Sequence, residues 1–165
     1  MRLSSLRRTR AVALASVLIA APWEPTSIAR DTATAALTPA TRAQEVKAMK
    51  IRMDVNGTRV TATLDDNATS RDFIALLPLT LTLEDYNGTE KINKLEKKLS
   101  TKDAPAGVDP SVGDIAYYAP WGNVAFFYKD FGYSRGLVKL GRIDSGVDAF
   151  ERPGTIRVSI QHIDK

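Results

Sequence analysis

Cysteine is absent from the 165-residue chain. That excludes disulfides, thiolate metal sites, a cysteine nucleophile and a lipid-modified N-terminal cysteine. Histidine is nearly absent too: His162 is the single one, three residues from the end. Imidazole chemistry therefore has almost no material to work with. Excess charge is also missing from the bulk of the chain. The net charge is +4, but residues 1–49 hold seven Lys/Arg against three acids, and residues 50–165 hold 16 of each. Phosphate binding needs clustered cations that displace counterions, so no nucleic-acid partner is expected.

The remaining charge belongs to the first residues, which read as an export leader. Arg2, Arg7, Arg8 and Arg10 precede an apolar stretch at 11–21, the length of a signal-peptide core and too short to span a bilayer. Ser27-Ile28-Ala29 places small residues where a signal peptidase reads, so cleavage is expected after Ala29, leaving a periplasmic or secreted protein with no stable membrane insertion. The alternative is translation from Met49 and a cytoplasmic protein. Residues 30–49 are rich in Ala and Thr and read as a flexible linker, with a weak helix over 41–49.

From Lys50 onward the pattern is that of strands. Ile51, Met53 and Val55 alternate with Arg52 and Asp54; Val60, Ala62 and Leu64 alternate with Arg59, Thr61 and Thr63. Asn56-Gly57 between them suits a two-residue hairpin turn, because both residues accept positive φ. That turn pairs Met53 with Val60, Ile51 with Ala62 and Asp54 with Arg59. Thr69 and Asp72 suggest a capped helix over 71–77 stopped by Pro78. A third strand follows over 79–83 and a turn at Asn87-Gly88. Residues 91–99 carry Ile92, Leu95 and Leu99 at helical spacing and read as a short surface helix or irregular loop; 101–111 reads as loop. Further strands are expected at 115–119, 124–128, 136–143 and 156–160, with a helical turn over 147–150. Residues 124–128 are apolar throughout, the mark of a strand buried on both faces. Seven or eight short strands with Gly/Pro turns make a mainly β domain over 50–165, a closed barrel or a sandwich.

Particular residues narrow the choice. Asn56-Gly57-Thr58, the helix end Phe73…Leu76-Leu77-Pro78, Leu79-Thr80-Leu81-Thr82-Leu83-Glu84-Asp85-Tyr86, Gly113-Asp114-Ile115-Ala116-Tyr117-Tyr118, Pro120-Trp121-Gly122-Asn123, Phe127-Tyr128 and Gly141-Arg142-Ile143 resemble the bacterial cyclophilin-like domain family. The resemblance covers roughly residues 50–150 and implies a small closed cyclophilin-like β-barrel with one or two short helices. True cyclophilins isomerise prolyl bonds, lowering a barrier of about 18–20 kcal/mol. By that resemblance the site would need an arginine, followed by Phe and Gln, with Phe, Trp and His on later strands. No Arg-x-x-x-x-Phe-x-x-Gln run occurs here, and His162 is terminal. The catalytic set does not carry over, and no cofactor is expected.

What remains is a binding site. Most of the aromatics suit a barrel core, but Trp121 lies in a turn. A turn-borne Trp beside Tyr and Asn suits the wall of a small pocket at a barrel mouth. Tyr117, Trp121 and Asn123, with Arg135 or Arg142 as cationic partners, are the expected site for a small molecule or peptide. The alternatives are a prolyl isomerase rebuilt around Arg52, Arg135 or Arg142, and a protein–protein interaction module. Asp130, Ser134 and His162 lack the spacing of a hydrolase triad. Asp65-Asp66-Asn67 and Asp103…Asp109…Asp114 lack a calcium-loop pattern, and turn or cap duty accounts for them.

Overall fold

The computed structural model describes residues 49–163, so the leader, the linker and the helix expected over 41–49 lie outside the described residues, apart from Met49 itself. In chain order the elements are β1 (Met49–Val55), β2 (Thr58–Leu64), α1 (Ala68–Ile74), β3 (Leu79–Tyr86), β4 (Glu90–Lys94), β5 (Gly107–Val108), β6 (Asp114–Tyr118), β7 (Asn123–Phe127), β8 (Ser134–Arg135), β9 (Leu137–Ser145), a 3-10 turn (Val147–Phe150) and β10 (Ile156–Ile163). Eight strands close into an antiparallel barrel in the order β1-β10-β3-β4-β7-β6-β9-β2, and β5 pairs with β8 as a separate ribbon. The architecture is the mainly β closed barrel expected from the sequence.

The first hairpin takes the expected register: Met53 opposes Val60, Ile51 opposes Ala62 and Asp54 opposes Arg59. Asn56 and Gly57 both adopt positive φ. Asp54 does not pair with Arg59 side chain to side chain; its Oδ1 accepts a 2.8 Å bond from the Gly57 N–H and ties off the turn. Ile51, Met53, Val55, Val60, Ala62 and Leu64 all enter the barrel interior. There they meet Val158 and Ile160 of β10 and the ring pair Phe126–Phe150, stacked at 5.1 Å between centroids. Each such large apolar side chain stabilises the fold by about 1.5–3 kcal/mol on burial.

Closure is made at the β2–β9 seam. Gly141 lies so close to β2 that a Cβ there would stand 2.3 Å from the Thr63 carbonyl oxygen, so only glycine fits. Helix α1 covers one region of this seam. Its N-cap is Asn67, whose Oδ1 accepts from the Ser70 N–H at 2.8 Å, and not Thr69 as the spacing suggested. Asn67 Nδ2 also donates to the Lys139 carbonyl and Ser70 Oγ to the Leu140 carbonyl, pinning the helix to β9.

One segment departs from its sequence reading. Residues 91–99 were expected as helix or loop, yet Glu90–Lys94 is strand β4, paired with both β3 and β7. The apolar spacing is misleading because Lys91 takes an inward position. It is fully buried, opposite Phe126, and its Nζ donates to Asp85 Oδ2 at 2.7 Å and to the Gly154 carbonyl at 2.8 Å. Tyr128 donates to the same Asp85 oxygen at 2.8 Å. The loop expected over 101–111 likewise contributes Gly107–Val108 to the outer ribbon.

The Lys91 bond holds the Asp85 carboxyl below its usual value, with Tyr128 adding to the effect. A carboxylate whose folded pKa is depressed contributes stability at neutral pH and loses it as pH falls through that pKa. Asp85→Asn is therefore expected to destabilise the domain by about 1.5–3 kcal/mol at pH 7, since buried Lys91 loses a charged partner. Urea denaturation across pH 2–7 should show the gap between variant and wild type closing toward acid; a constant gap would contradict the assignment.

Candidate functional site

A strand buried on both faces supplies two different surfaces. On β7, Val124 and Phe126 point into the barrel, whereas Asn123, Ala125 and Phe127 face outward and are nonetheless buried. The outward positions of the neighbours follow from register. Tyr118 opposes Asn123, Ala116 opposes Ala125, Glu90 opposes Phe127, Tyr86 opposes Glu90 and Leu137 opposes Tyr118. Ala116, Ala125, Phe127 and Leu137 form a second apolar cluster outside the barrel.

That cluster floors a cavity of about 160 Å³. Ala125 is why there is room: an alanine lies between Asn123 and Phe127 on the outward face of β7. Tyr86, Glu90, Tyr118 and Trp121 form walls, and Phe131 and Ser134 lean in from the segment that leads to the β5–β8 ribbon. That segment is tied down by main-chain bonds, Phe131 N–H to the Pro110 carbonyl at 3.2 Å and Gly136 N–H to the Ala106 carbonyl at 2.8 Å. The cavity thus lies on the outer wall of the barrel. The sequence suggested a barrel mouth, but the mouth is inaccessible to inference from strand alternation, which does not order the strands.

Trp121 is 51% exposed and stands between two tyrosines. Its ring meets Tyr86 at 5.6 Å with an 88° interplanar angle, and Tyr118 at 5.3 Å with 84°. Edge-to-face contacts of this kind favour a defined ring position. The turn that carries it is set by Gly122, at φ 75°, whose N–H donates to the Tyr118 carbonyl.

Two polar groups in this lining lack partners. Asn123 is 5% exposed, and its buried Oδ1 accepts no hydrogen bond. Glu90 has a carboxyl pushed up to about 7, and burial is the sole cause. No ion pair among the described residues involves it. Buried polar groups are ordinarily satisfied, so an amide oxygen and a half-buried carboxyl without partners in one apolar lining stand apart from the rest of the fold.

The expected site residues divide. Trp121 and Asn123 line the cavity. Tyr117 points the other way: it is buried in the barrel core, and its hydroxyl accepts from the Leu99 N–H at 3.2 Å. Tyr118, one residue on, takes the place intended for it. Arg135 is exposed on β8 beside the lining residue Ser134. Arg142 is exposed and donates to Asp114 Oδ1 at 3.1 Å, a carboxylate that Lys139 also binds. Arg52 bonds Gln161 on the β1–β10 wall. None of these arginines lines the cavity. Glu90, Tyr86, Phe127 and Phe131 were missed. Glu90 gave no signal, because its place in the lining follows from the β4–β7 register, where it opposes Phe127, beside a segment whose sequence reads as helix or loop.

Comparison with known proteins adds the following. A family model described as the cyclophilin-like family matches residues 53–161. No curated protein matches the chain. The solution structure of a hypothetical protein from Archaeoglobus fulgidus is similar in fold, with a TM-score of 0.51 and 17% identity over 70% of this chain and 95% of that one.

Because the folded state prefers Glu90 protonated, its ionisation opposes folding: stability falls as pH rises from the unfolded value toward about 7 and is flat above. Glu90→Gln removes the penalty. Discounted for solvent at the cavity mouth, the variant should be about 1–2 kcal/mol more stable than wild type at pH 8, and nearly equal to it at pH 4. Thermal or urea unfolding at the two pH values checks this, and an equal offset at both would refute it.

Proposed function

This chain belongs to the cyclophilin-like family, and from that premise we propose that it is a non-catalytic module binding a small molecule or peptide on the outer wall of its barrel. The supporting observation is the pairing of unpartnered Asn123 and Glu90 with an aromatic, apolar lining. Ligand sites have this composition: mostly apolar walls with a few polar groups that fix orientation. The lining offers a donor–acceptor amide, a carboxyl and ring faces. It contains no arginine, lysine or histidine. Prolyl isomerisation in the manner of cyclophilins asks for a cation beside the imide nitrogen, so the lining favours binding over that reaction.

Trp121 supplies the test. In the full-length chain carrying Trp23→Phe, Trp121 is the remaining indole. Titration with a set of small metabolites and X-Pro peptides should shift its emission for at least one compound. Ala125→Leu, which fills the cavity at a cost of about 1–3 kcal/mol, should abolish the shift. A set that never moves the emission of the parent chain would overturn the reading. Exchange NMR on the same peptides decides against isomerisation if cis/trans rates stay at their uncatalysed values, and for it if they rise.

The proposal includes export, supported by the arginine-led apolar stretch at 11–21 and the small residues Ser27 and Ala29. Mass spectrometry of the protein from its native cell should give an N-terminus at Arg30. An N-terminus at Met49 or an intact Met1 would place it in the cytoplasm.

A further inference from the structure

The chemistry of the cavity lining is one-sided. Its rings are electron-rich on their faces, and its one ionisable side chain apart from the tyrosines is a carboxyl. Tyr86 and Tyr118 each stand nearly perpendicular to Trp121, at 88° and 84°, so three rings present faces and edges around one corner. Phe127 and Phe131 extend the aromatic surface, and Glu90 lies in the same cavity as Trp121 and Tyr86. Aromatic faces attract cations through the ring quadrupole, most strongly where water is excluded. A carboxyl partly withdrawn from water, as that of half-buried Glu90 is, is normally matched to a cation or a hydrogen-bond donor.

The geometry points to a ligand carrying an ammonium group, held among Tyr86, Tyr118 and Trp121 with Glu90 as its counter-charge and the Asn123 amide as a second polar contact. This rests on the proposed binding function and names the class of ligand. An anionic ligand is disfavoured by the same lining, because nothing in it can neutralise a second negative charge. Elsewhere the fold treats buried acids differently. Asp114, 4% exposed, receives Lys139, Arg142 and the Ser111 N–H. Among the described residues Glu90 receives no cation, which leaves that place for the ligand.

Binding of a cation should draw the Glu90 carboxyl into its ionised form. Several groups surround it: Tyr86 on β3, Tyr118 on β6, Tyr128 and Lys129 just beyond β7, and its chain neighbour Lys91 with Asp85 on the inward face. Asp85 is held low by Lys91, and Tyr128 is pushed up to about 12 by burial, so neither changes charge between pH 5 and 8. Choline is a suitable probe, since its charge does not vary with pH, and 3,3-dimethylbutan-1-ol is its neutral isostere.

The experiment is NMR titration of the full-length protein with both probes at pH 5 and pH 8. Choline is expected to bind at pH 8 at least about tenfold more tightly than the alcohol, which corresponds to about 1.4 kcal/mol. Its affinity should rise about tenfold from pH 5 to pH 8. Glu90→Gln should remove both the preference and the pH dependence, and Trp121→Leu should weaken choline in either background. If both probes bind equally well, the cavity binds ligands but the ammonium assignment falls. If neither perturbs Trp121 or Asn123 at tens of millimolar, the ammonium assignment falls, and the binding function is decided separately by the metabolite and peptide titration of Trp121 emission.

Discussion

The two-sided burial of β7 is the constraint on which the rest of the structure depends. A barrel strand normally buries one face and wets the other. Here Val124 and Phe126 complete the interior, while Asn123, Ala125 and Phe127 are covered from outside by the Trp121 turn and the segment carrying Phe131. The covering comes from outside the barrel ladder: the β5–β8 ribbon (Gly107–Val108 with Ser134–Arg135), the 119–122 turn and the 128–133 connection lie over this wall. Gly107 shows how closely they approach: a Cβ there would stand 2.3 Å from the Ser134 carbonyl oxygen. The cavity is what remains between covering and wall, because Ala125 is too small to fill it.

Polar groups taken out of water divide into two kinds in this protein. Lys91, buried at an inward position of β4, has Asp85 and the Gly154 carbonyl, and Asp85 in turn has Tyr128. Asp114 has two cations and a main-chain donor. These are closed accounts of hydrogen bonding, as packing demands of groups that serve only the fold. Glu90 and Asn123 are open, and they are open in the same place. Leaving a buried polar group such as Asn123 Oδ1 unmatched costs about 1–3 kcal/mol.

Much of the barrel was legible in the sequence because local signals agreed. The β1–β2 register followed from alternation and Asn56-Gly57 together, and β7 from five apolar residues in a row. β4 was not legible, since a buried lysine inverts the pattern that periodicity reads. The site was half legible for a related reason. Residues 115–118 are apolar or aromatic on both faces, so nothing local says which tyrosine faces inward. The choice of Tyr117 over Tyr118 depends on which neighbour each meets, Val124 or Asn123. Trp121 could be found because a large ring in a Gly-containing turn has no local reason to be there. The arginines drew attention as charges, but Arg142 is committed to Asp114 across β6 and β9.

The position of the cavity on a barrel wall also bears on how a site here would work. Its floor and three of its walls are strands whose other face is the packed interior, so Glu90, Asn123 and Tyr118 are held by the barrel itself. Asn87, Trp121 and Phe131 stand on connections, and the two rings are substantially exposed. Preorganised groups lose little freedom on binding, whereas exposed rings at a rim can adjust to the ligand's outline. In the proposed binding function, a strand-held polar floor under an exposed aromatic rim would separate two tasks, the strands selecting charge and the rings selecting shape. On that reading, substitutions in the 120–122 turn and the 129–133 segment would alter the rim while leaving the barrel intact, whereas a change at Glu90 or Asn123 falls on strands whose other face, at Lys91, Val124 and Phe126, is the packed interior.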